Sequence, residues 1–512
     1  MSETTREPKT TWIVAALILL AGAWLRLSNL DNNPPGLWQD EASTGLDAFL
    51  LWTTGHDRAG RLLPIIARSF GDYPLTLYRY LSAPIVGIFG LSIGTERMVA
   101  ALGGTSLMIS TFFWTRLALG DSKPAIGALM AGAFAPTWVH FSRYGSEAIL
   151  LPATLTAAMA LFELARVRSL RWPLYAGAVA LGLSAHTYHA VKLFLPLWMI
   201  PFLWYQWPLI TALARTHSKH VIGTVAVFTA IVLPSVIMAF TPDGMARGRT
   251  VAAWEHYKGA ELVRVILSNY LGYFEPGMLF LHGGPAVAQS IPGVGLWNGI
   301  DLPLMVIGLV FMARHSKEHR LYGMVTAWLV LGPTPGAITY EAHNVGRVVG
   351  WLPAAQIISG LGAAAVFGWA TDPARSKKPV PLLLMIALVS GWIITAATVF
   401  RLTLVRYPDI TERDFQFEIS RAIQCARDRS KGRHIVVSPA FQAADVFGTF
   451  HLSALPKSAW SIGTRSTVGE NEVYALPADQ DIPIGAPLCE IHTKHSTEVL
   501  ARVYEALPAP AK

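Results

Sequence analysis

Residues 380–400 read VPLLLMIALVSGWIITAATVF, a run without an ionisable side chain that matches the roughly 20 residues a helix needs to cross a hydrocarbon core. Comparable runs lie at 11–30, 97–117, 123–140, 147–166, 172–187, 190–207, 219–240, 301–314, 320–338 and 346–370, which predicts about eleven spans, two of them short. The composition agrees: 52% of the 512 residues are hydrophobic, and 14% are charged where soluble chains carry roughly 25%. Ordinary soluble, disordered and collagen-like classes are excluded. The expectation is an all-α polytopic membrane domain over residues 1–402.

The net charge of +8 is spread in short clusters between apolar runs, the signature of membrane topology and not of a nucleic-acid face. Arg6 and Lys9, then Arg116 and Lys123, then Arg166, Arg168 and Arg171, then Arg215 and Lys219, occupy alternate connections. Arg314, Lys317 and Arg320, then Arg375, Lys377 and Lys378, continue the alternation. By the positive-inside rule these connections face the cytoplasm, so the long segments 31–96, 241–300 and 403–512 share the outer side. The stretch 74–90 is apolar, but counting it as a span would invert that parity, so it reads as an interfacial helix. A signal peptide cleaved after Ala21-Gly22-Ala23 is the alternative for the first run.

The tail 403–512 changes character. Glu418 to Arg429 predicts a helix, HIVVSP (434–439) a strand and Glu498 to Glu505 a second helix, a small α/β domain on the outer side. Cys425 and Cys489 both fall in it and are candidates for a disulfide, with two separate buried thiols as the alternative.

Ionisable residues gather in the outer segments. PPGLWQDEASTG (34–45) sets Asp40 and Glu41 before an amphipathic helix at 42–53, and on local grounds alone the favoured reading of Asp40 is as the cap of that helix. HDRAGRLLPIIARSFGDYP (56–74) adds Arg61 and Asp72, which a solvated loop face would also explain. FSRYGSE (141–147) places Arg143 and Glu147 one turn apart, where they can simply pair. HTYHAVK (186–192) supplies Tyr188, His189 and Lys192, and EAHNVGRVVGWLP (341–353) supplies His343 and Arg347. Singly each cluster reads as interfacial snorkelling; together they suit an anionic lipid headgroup such as a phosphate. No Walker loop, HExxH, Cys/His cluster or GxGxxG is present, so neither nucleotide, zinc nor another cofactor is expected.

WQDEAS (38–43), TTGHDRAGRLLPI (53–65), SFGDYPLTLYRYL (69–81) and FGLSIGTERMVAAL (89–102) resemble the first half of the bacterial GT-C glycosyltransferases related to protein O-mannosyltransferases and the lipid A aminoarabinose transferase. FSRYGSEAILLP (141–152), NYLGYFEPGMLFLHGG (269–284), PGVGLWNGIDLPLMVIGL (292–309) and HNVGRVVGWLP (343–353) look like later segments of the same group. The resemblance covers most of residues 12–400 and leaves the tail aside.

The resemblance implies a bacterial inner-membrane enzyme that passes one sugar from a polyprenyl-phosphate donor to an extracytoplasmic protein, glycan or lipid acceptor. It maps the catalytic base onto Asp40, with Glu41 beside it and Asp72 near the second acid. Where aminoarabinose transferases carry Glu-Lys-Pro-Pro, this chain has Gly71-Asp72-Tyr73-Pro74. The missing lysine leaves the phosphate to Lys192 and Arg347, supported by His343, Tyr188 and His189. Arg143, Glu147 and Arg61 would be architectural or acceptor-side residues. The competing reading is a transporter or lipid flippase, which needs ionisable residues at mid-span; here they sit at span ends and in outer loops.

Overall fold

The computed structural model describes residues 8–372, 374, 379–481, 483–494 and 496–507. Arg6, Arg375, Lys377 and Lys378 of the topology argument lie outside them. The apolar runs are helices, and among the described residues six helices are long and apolar enough to cross a membrane: Lys9–Leu27, Ile93–Leu119, Glu147–Arg168, Val191–Ala239, Val345–Thr371 and Val380–Ile410. The chain is a membrane protein.

Proline accounts for most departures from the simple runs. The segment 123–140 breaks into Ser122–Ala133 and Pro136–Phe141, because Pro136 has no N–H for a continuing helix and pushes Ala135 into extended backbone. The segment 320–338 is helical over Arg320–Leu331 and then restarts at Thr334, between Pro333 and Pro335. The runs 190–207 and 219–240 are the two arms of Val191–Ala239, which turns at His217, where φ is −149° and ψ 49°. Arg26, fully buried, donates to the carbonyls of Gly22, Gly132 and Ala133 and thereby ties Lys9–Leu27 to its neighbour.

Within the first long loop lie two helices, Gln39–Thr54 and Leu77–Phe89. The second has 13 residues, roughly 20 Å at 1.5 Å per residue, too short to cross a hydrocarbon core of about 30 Å. It packs on the first through Trp52 against Gly87 and through Arg79, whose Nε donates to Asp47 Oδ2 at 3.0 Å.

The tail forms one five-stranded sheet in the order β2-β1-β3-β5-β4, from β1 (His434–Val437), β2 (Trp460–Ile462), β3 (Glu472–Pro477), β4 (Ala486–His492) and β5 (Val499–Glu505). β1 runs parallel to β2 and β3, while β5 is antiparallel to β3 and β4. The stretch 498–505 is therefore a strand and not the helix its sequence predicts. Ala501 and Val503 point into the core while Tyr474 pairs with Tyr504, so the sheet supplies a partner that local propensity does not register.

This sheet and the helices Phe417–Arg429 and Ala444–Leu452 share a core with Leu37, Ala42, Leu46 and Ile93 of the first loop. Leu37 N–H donates to Phe415 O at 2.9 Å. Gly36, at φ 71°, lets the Phe415–Phe417 backbone approach so closely that a Cβ would meet Phe415 O at 2.4 Å. The tail thus braces the loop that carries Asp40. Cys425 and Cys489 are joined as a disulfide that pins Phe417–Arg429 to β4 across 64 residues. By loop closure such a link stabilises the folded tail by about 4 kcal/mol, so a Cys425→Ala/Cys489→Ala protein is expected to unfold its sheet at a clearly lower midpoint, read by circular dichroism against the parent.

Candidate active site

Helix Gln39–Thr54 starts one residue before Asp40, so its N-cap is Trp38 and Asp40 is the second helical residue. The capping reading of Asp40 is therefore corrected. Glu41 closes the helix start instead, accepting from Trp38 N–H at 2.8 Å. It is 0% exposed and also accepts from Arg97 Nε at 2.8 Å, Arg97 Nη2 at 3.0 Å and Gly145 N–H at 2.7 Å. A carboxylate has about four acceptor positions, and all are taken. Glu41 is an anchor that faces the protein, a correction to its grouping with the catalytic acids.

Asp40 turns the other way and reaches solvent, its Oδ2 accepting, among the described residues, a single long 3.3 Å bond from Trp38 Nε1. Surrounding protein still withdraws water from it, and this raises its carboxyl pKa. The Trp38 bond and the Arg79 and Arg247 charges oppose the shift without cancelling it, and Asp72 adds to it. Asp72 stands at the end of a tight hairpin in which Phe70 and Gly71 both have positive φ, the pair a two-residue I′ turn requires. Burial would raise the Asp72 pKa as well, but His189, the Tyr73 N–H and Arg247 outweigh it and the net shift is downward. Asp72 Oδ2 lies 3.4 Å from His189 Nε2 and 3.7 Å from Arg247 Nε.

His189 leads into a cavity of about 420 Å³, whose walls include Tyr188, Lys192, Arg247, Trp254 and Arg347. Lys192, in the first turn of its helix, donates to Gly244 O at 2.6 Å and approaches His189 Nδ1 at 3.4 Å, both neutral partners. Arg347 donates to Thr339 Oγ1 and to Glu341 Oε2, both at 2.6 Å, so part of its charge is already met. The roof of the cavity is helix Pro242–Val251. It is capped by Thr241 Oγ1, which accepts from Gly244 N–H at 3.1 Å, and is stitched down where Tyr340 N–H donates to Val251 O and Ala253 N–H to Ile338 O.

The structure separates the remaining sequence candidates. Glu147 lies within the field of Arg79, Asp40 and Asp72 but is not part of the cavity wall. Arg143 does not pair with it; the guanidinium is buried and holds the carbonyls of Leu25, Ser28 and Asn33, which shapes the start of the loop. Arg61 pairs with Asp57 at 3.3 Å, stacks on Tyr73 and reaches Asp243 at 3.8 Å, fastening the loop to the roof. His343 packs on Tyr273 and against Gly272 and is absent from the cavity wall, a correction to its place beside Arg347. The cation that sequence reasoning missed is Arg247. Its signal was Thr-Pro-Asp at 241–243, a helix start that carries two arginines over the next two turns, but nothing local says where that helix docks.

No protein-family model and no curated protein sequence matches the chain. Solved structures do. ArnT from Cupriavidus metallidurans bound to undecaprenyl phosphate is similar at 13% identity, over 98% of this chain and 100% of that one, with a TM-score of 0.56. Its apo state is similar at 14% identity over 89% and 86%, with a TM-score of 0.55. The oligosaccharyltransferase AglB from Archaeoglobus fulgidus, in complex with an inhibitory peptide and a dolichol-phosphate, is similar at 14% identity, over 86% of this chain and 64% of that one, with a TM-score of 0.53. At such identities the likeness is one of architecture, and it runs through both the helical part and the tail: the chain has the GT-C glycosyltransferase fold.

Proposed function

We propose that the protein is a membrane glycosyltransferase that moves a single sugar from a polyprenyl-phosphate donor to a hydroxyl-bearing acceptor on the extracytoplasmic side of a bacterial inner membrane. The observation that carries the reading is one juxtaposition on this fold: an accessible carboxylate with a raised pKa, Asp40, beside the cation-lined cavity of Tyr188, His189, Lys192, Arg247 and Arg347. The similar structures in complex with undecaprenyl phosphate and dolichol-phosphate support the donor class.

In this reaction Asp40 takes the proton of the acceptor hydroxyl as that oxygen bonds to the anomeric carbon. The bond from that carbon to the phosphate oxygen breaks, and the polyprenyl phosphate leaves with its new charge. Lys192 and Arg247 meet that charge, with Arg347 contributing what Glu341 leaves over. Asp72 sets His189 and Arg247 in place from behind. Attack on the face opposite the phosphate inverts the anomeric centre. The basic connections around Arg116, Arg166 and Arg320 stand at the other end of the helices, which supports an outward-facing cleft and tail.

Mass spectrometry of lipid extracts tests the donor. A polyprenyl-monophosphate sugar is expected to accumulate in cells lacking the protein and to disappear when the parent is restored; no accumulation would sink the donor assignment. Arg247→Ala is expected to raise KM for the donor about tenfold, the low end for a charge-assisted hydrogen bond because the side chain is 43% exposed. Steady-state kinetics with the accumulated lipid as substrate measures this.

A further inference from the structure

At the end of the bundle away from Asp40, two cavities adjoin. One is apolar, about 130 Å³, and is walled by Phe162, Leu174, Phe202 and Phe228 from Leu150–Arg168, Trp172–Ser184 and both arms of Val191–Ala239. The other is polar, about 290 Å³, and its walls include Glu163, Arg166, Glu318, His319 and Arg320. Gln206 and Leu209 belong to the walls of both. Gln206 lies about 20 Å along its helix from Lys192 of the cleft, so the pair is remote from the transfer chemistry.

We propose that these cavities together bind one glycerophospholipid, with its phosphate at Arg166 and Arg320, an ester carbonyl on the Gln206 amide and a segment of acyl chain in the apolar cavity. Three observations converge on that chemistry. Gln206 is buried, yet its Nε2 has no hydrogen-bond partner among the described residues. A donor stranded at the seam between an apolar and a polar cavity calls for an acceptor there, and a glycerophospholipid carries its ester carbonyl between chain and phosphate. A polyprenyl phosphate has no carbonyl at that place.

The polar cavity also offers suitable cations. Arg320 stacks on Trp204, 5.2 Å from the ring centroid, and has no carboxylate partner among the described residues. Arg166 pairs with Glu163 through both Nε, at 2.7 Å, and Nη2, at 2.5 Å, yet its side chain stays 45% exposed, so its outer face remains open to a phosphate. Both stand among the basic connections near one end of the helices, where a lipid phosphate lies. Finally, the turn at His217 spreads the two arms of Val191–Ala239 around the apolar cavity, so a lipid there acts as a wedge between them.

Native mass spectrometry of the full chain in mild detergent tests the site without reference to the Asp40 cleft. One adduct of glycerophospholipid mass is expected on the parent, and that mass names the headgroup. Occupancy should fall at least fivefold in Arg320→Gln, in Gln206→Leu, and in Val225→Trp, whose 56% exposed position admits the ring from outside into the apolar cavity. If Gln206→Leu is not monodisperse, the other two decide. A parent without an adduct, an adduct equally occupied in every folded variant, or an adduct with the mass of a polyprenyl phosphate would each overturn the proposal. Any of these results leaves the transferase reading untouched, because that reading rests on turnover.

Discussion

Asp40→Asn is expected to lower kcat by roughly 10²–10⁴-fold, the contribution of a positioned general base, with little change in KM for the donor. Asn keeps the shape, the Trp38 bond and the helix start, and removes only the ability to accept a proton. Complementation with this variant should leave the polyprenyl-linked donor accumulated as in cells without the protein. The parent should also show an acid limb in its pH–rate profile. Asp40 works deprotonated and its pKa is raised, chiefly because the surrounding protein withdraws water from it, so turnover falls as pH drops through a value above the ordinary 3.9 of an aspartate. The limb disappears in the Asn variant's residual rate. Turnover of Asp40→Asn within threefold of the parent would assign the base elsewhere, with Glu147, which shares the field of Asp40 and Asp72, the next residue to test.

How far the sequence reaches is clearest from the residues themselves. Apolar runs locate the membrane helices because lipid forces every backbone group to be satisfied within its own segment, so length and hydropathy suffice. Asp40, Asp72, Tyr188, His189, Lys192 and Arg347 stand out as polar residues near the ends of those runs; in the structure the last four line one cavity, Asp72 stands 3.4 Å from His189, and Asp40 lies within the field of Asp72 and Arg247. Arg247 was invisible because it reaches the cavity only after Pro242–Val251 is stitched to residues 338–340, nearly a hundred positions later. His343 shows the complementary case: four residues from Arg347 in sequence, it sits at φ 59° and packs edge-on against Tyr273, a direction that sequence spacing does not register. The strand Val499–Glu505 likewise depends on β3 and β4, partners that no local window contains.

The adjacent acids Asp40 and Glu41 show the same division, and they set up the largest expected effect on stability. Glu41→Gln leaves the Arg97 guanidinium, itself 0% exposed, with no counter-charge among the described carboxylates bonded to it. Breaking a buried pair from one side costs about 3–5 kcal/mol, far more than the pair's net worth, since the remaining charge cannot regain water. The damage should spread beyond the pair. Arg97 also donates to the carbonyls of Leu30, Pro34 and Gly36, so a displaced guanidinium releases the turn that delivers Asp40 and the Gly36 contact on which the tail rests. Glu41→Gln is therefore expected to lower the thermal midpoint of the detergent-solubilised protein by many degrees, whereas Asp40→Asn leaves it near the parent. Arg97→Ala should match Glu41→Gln, and the double variant should cost less than the two single changes added, because each single change already loses the same interaction. A Glu41→Gln protein that melts with the parent yet has lost turnover would place Glu41 in the chemistry after all, and its four-fold hydrogen bonding would then describe only the resting state of the site.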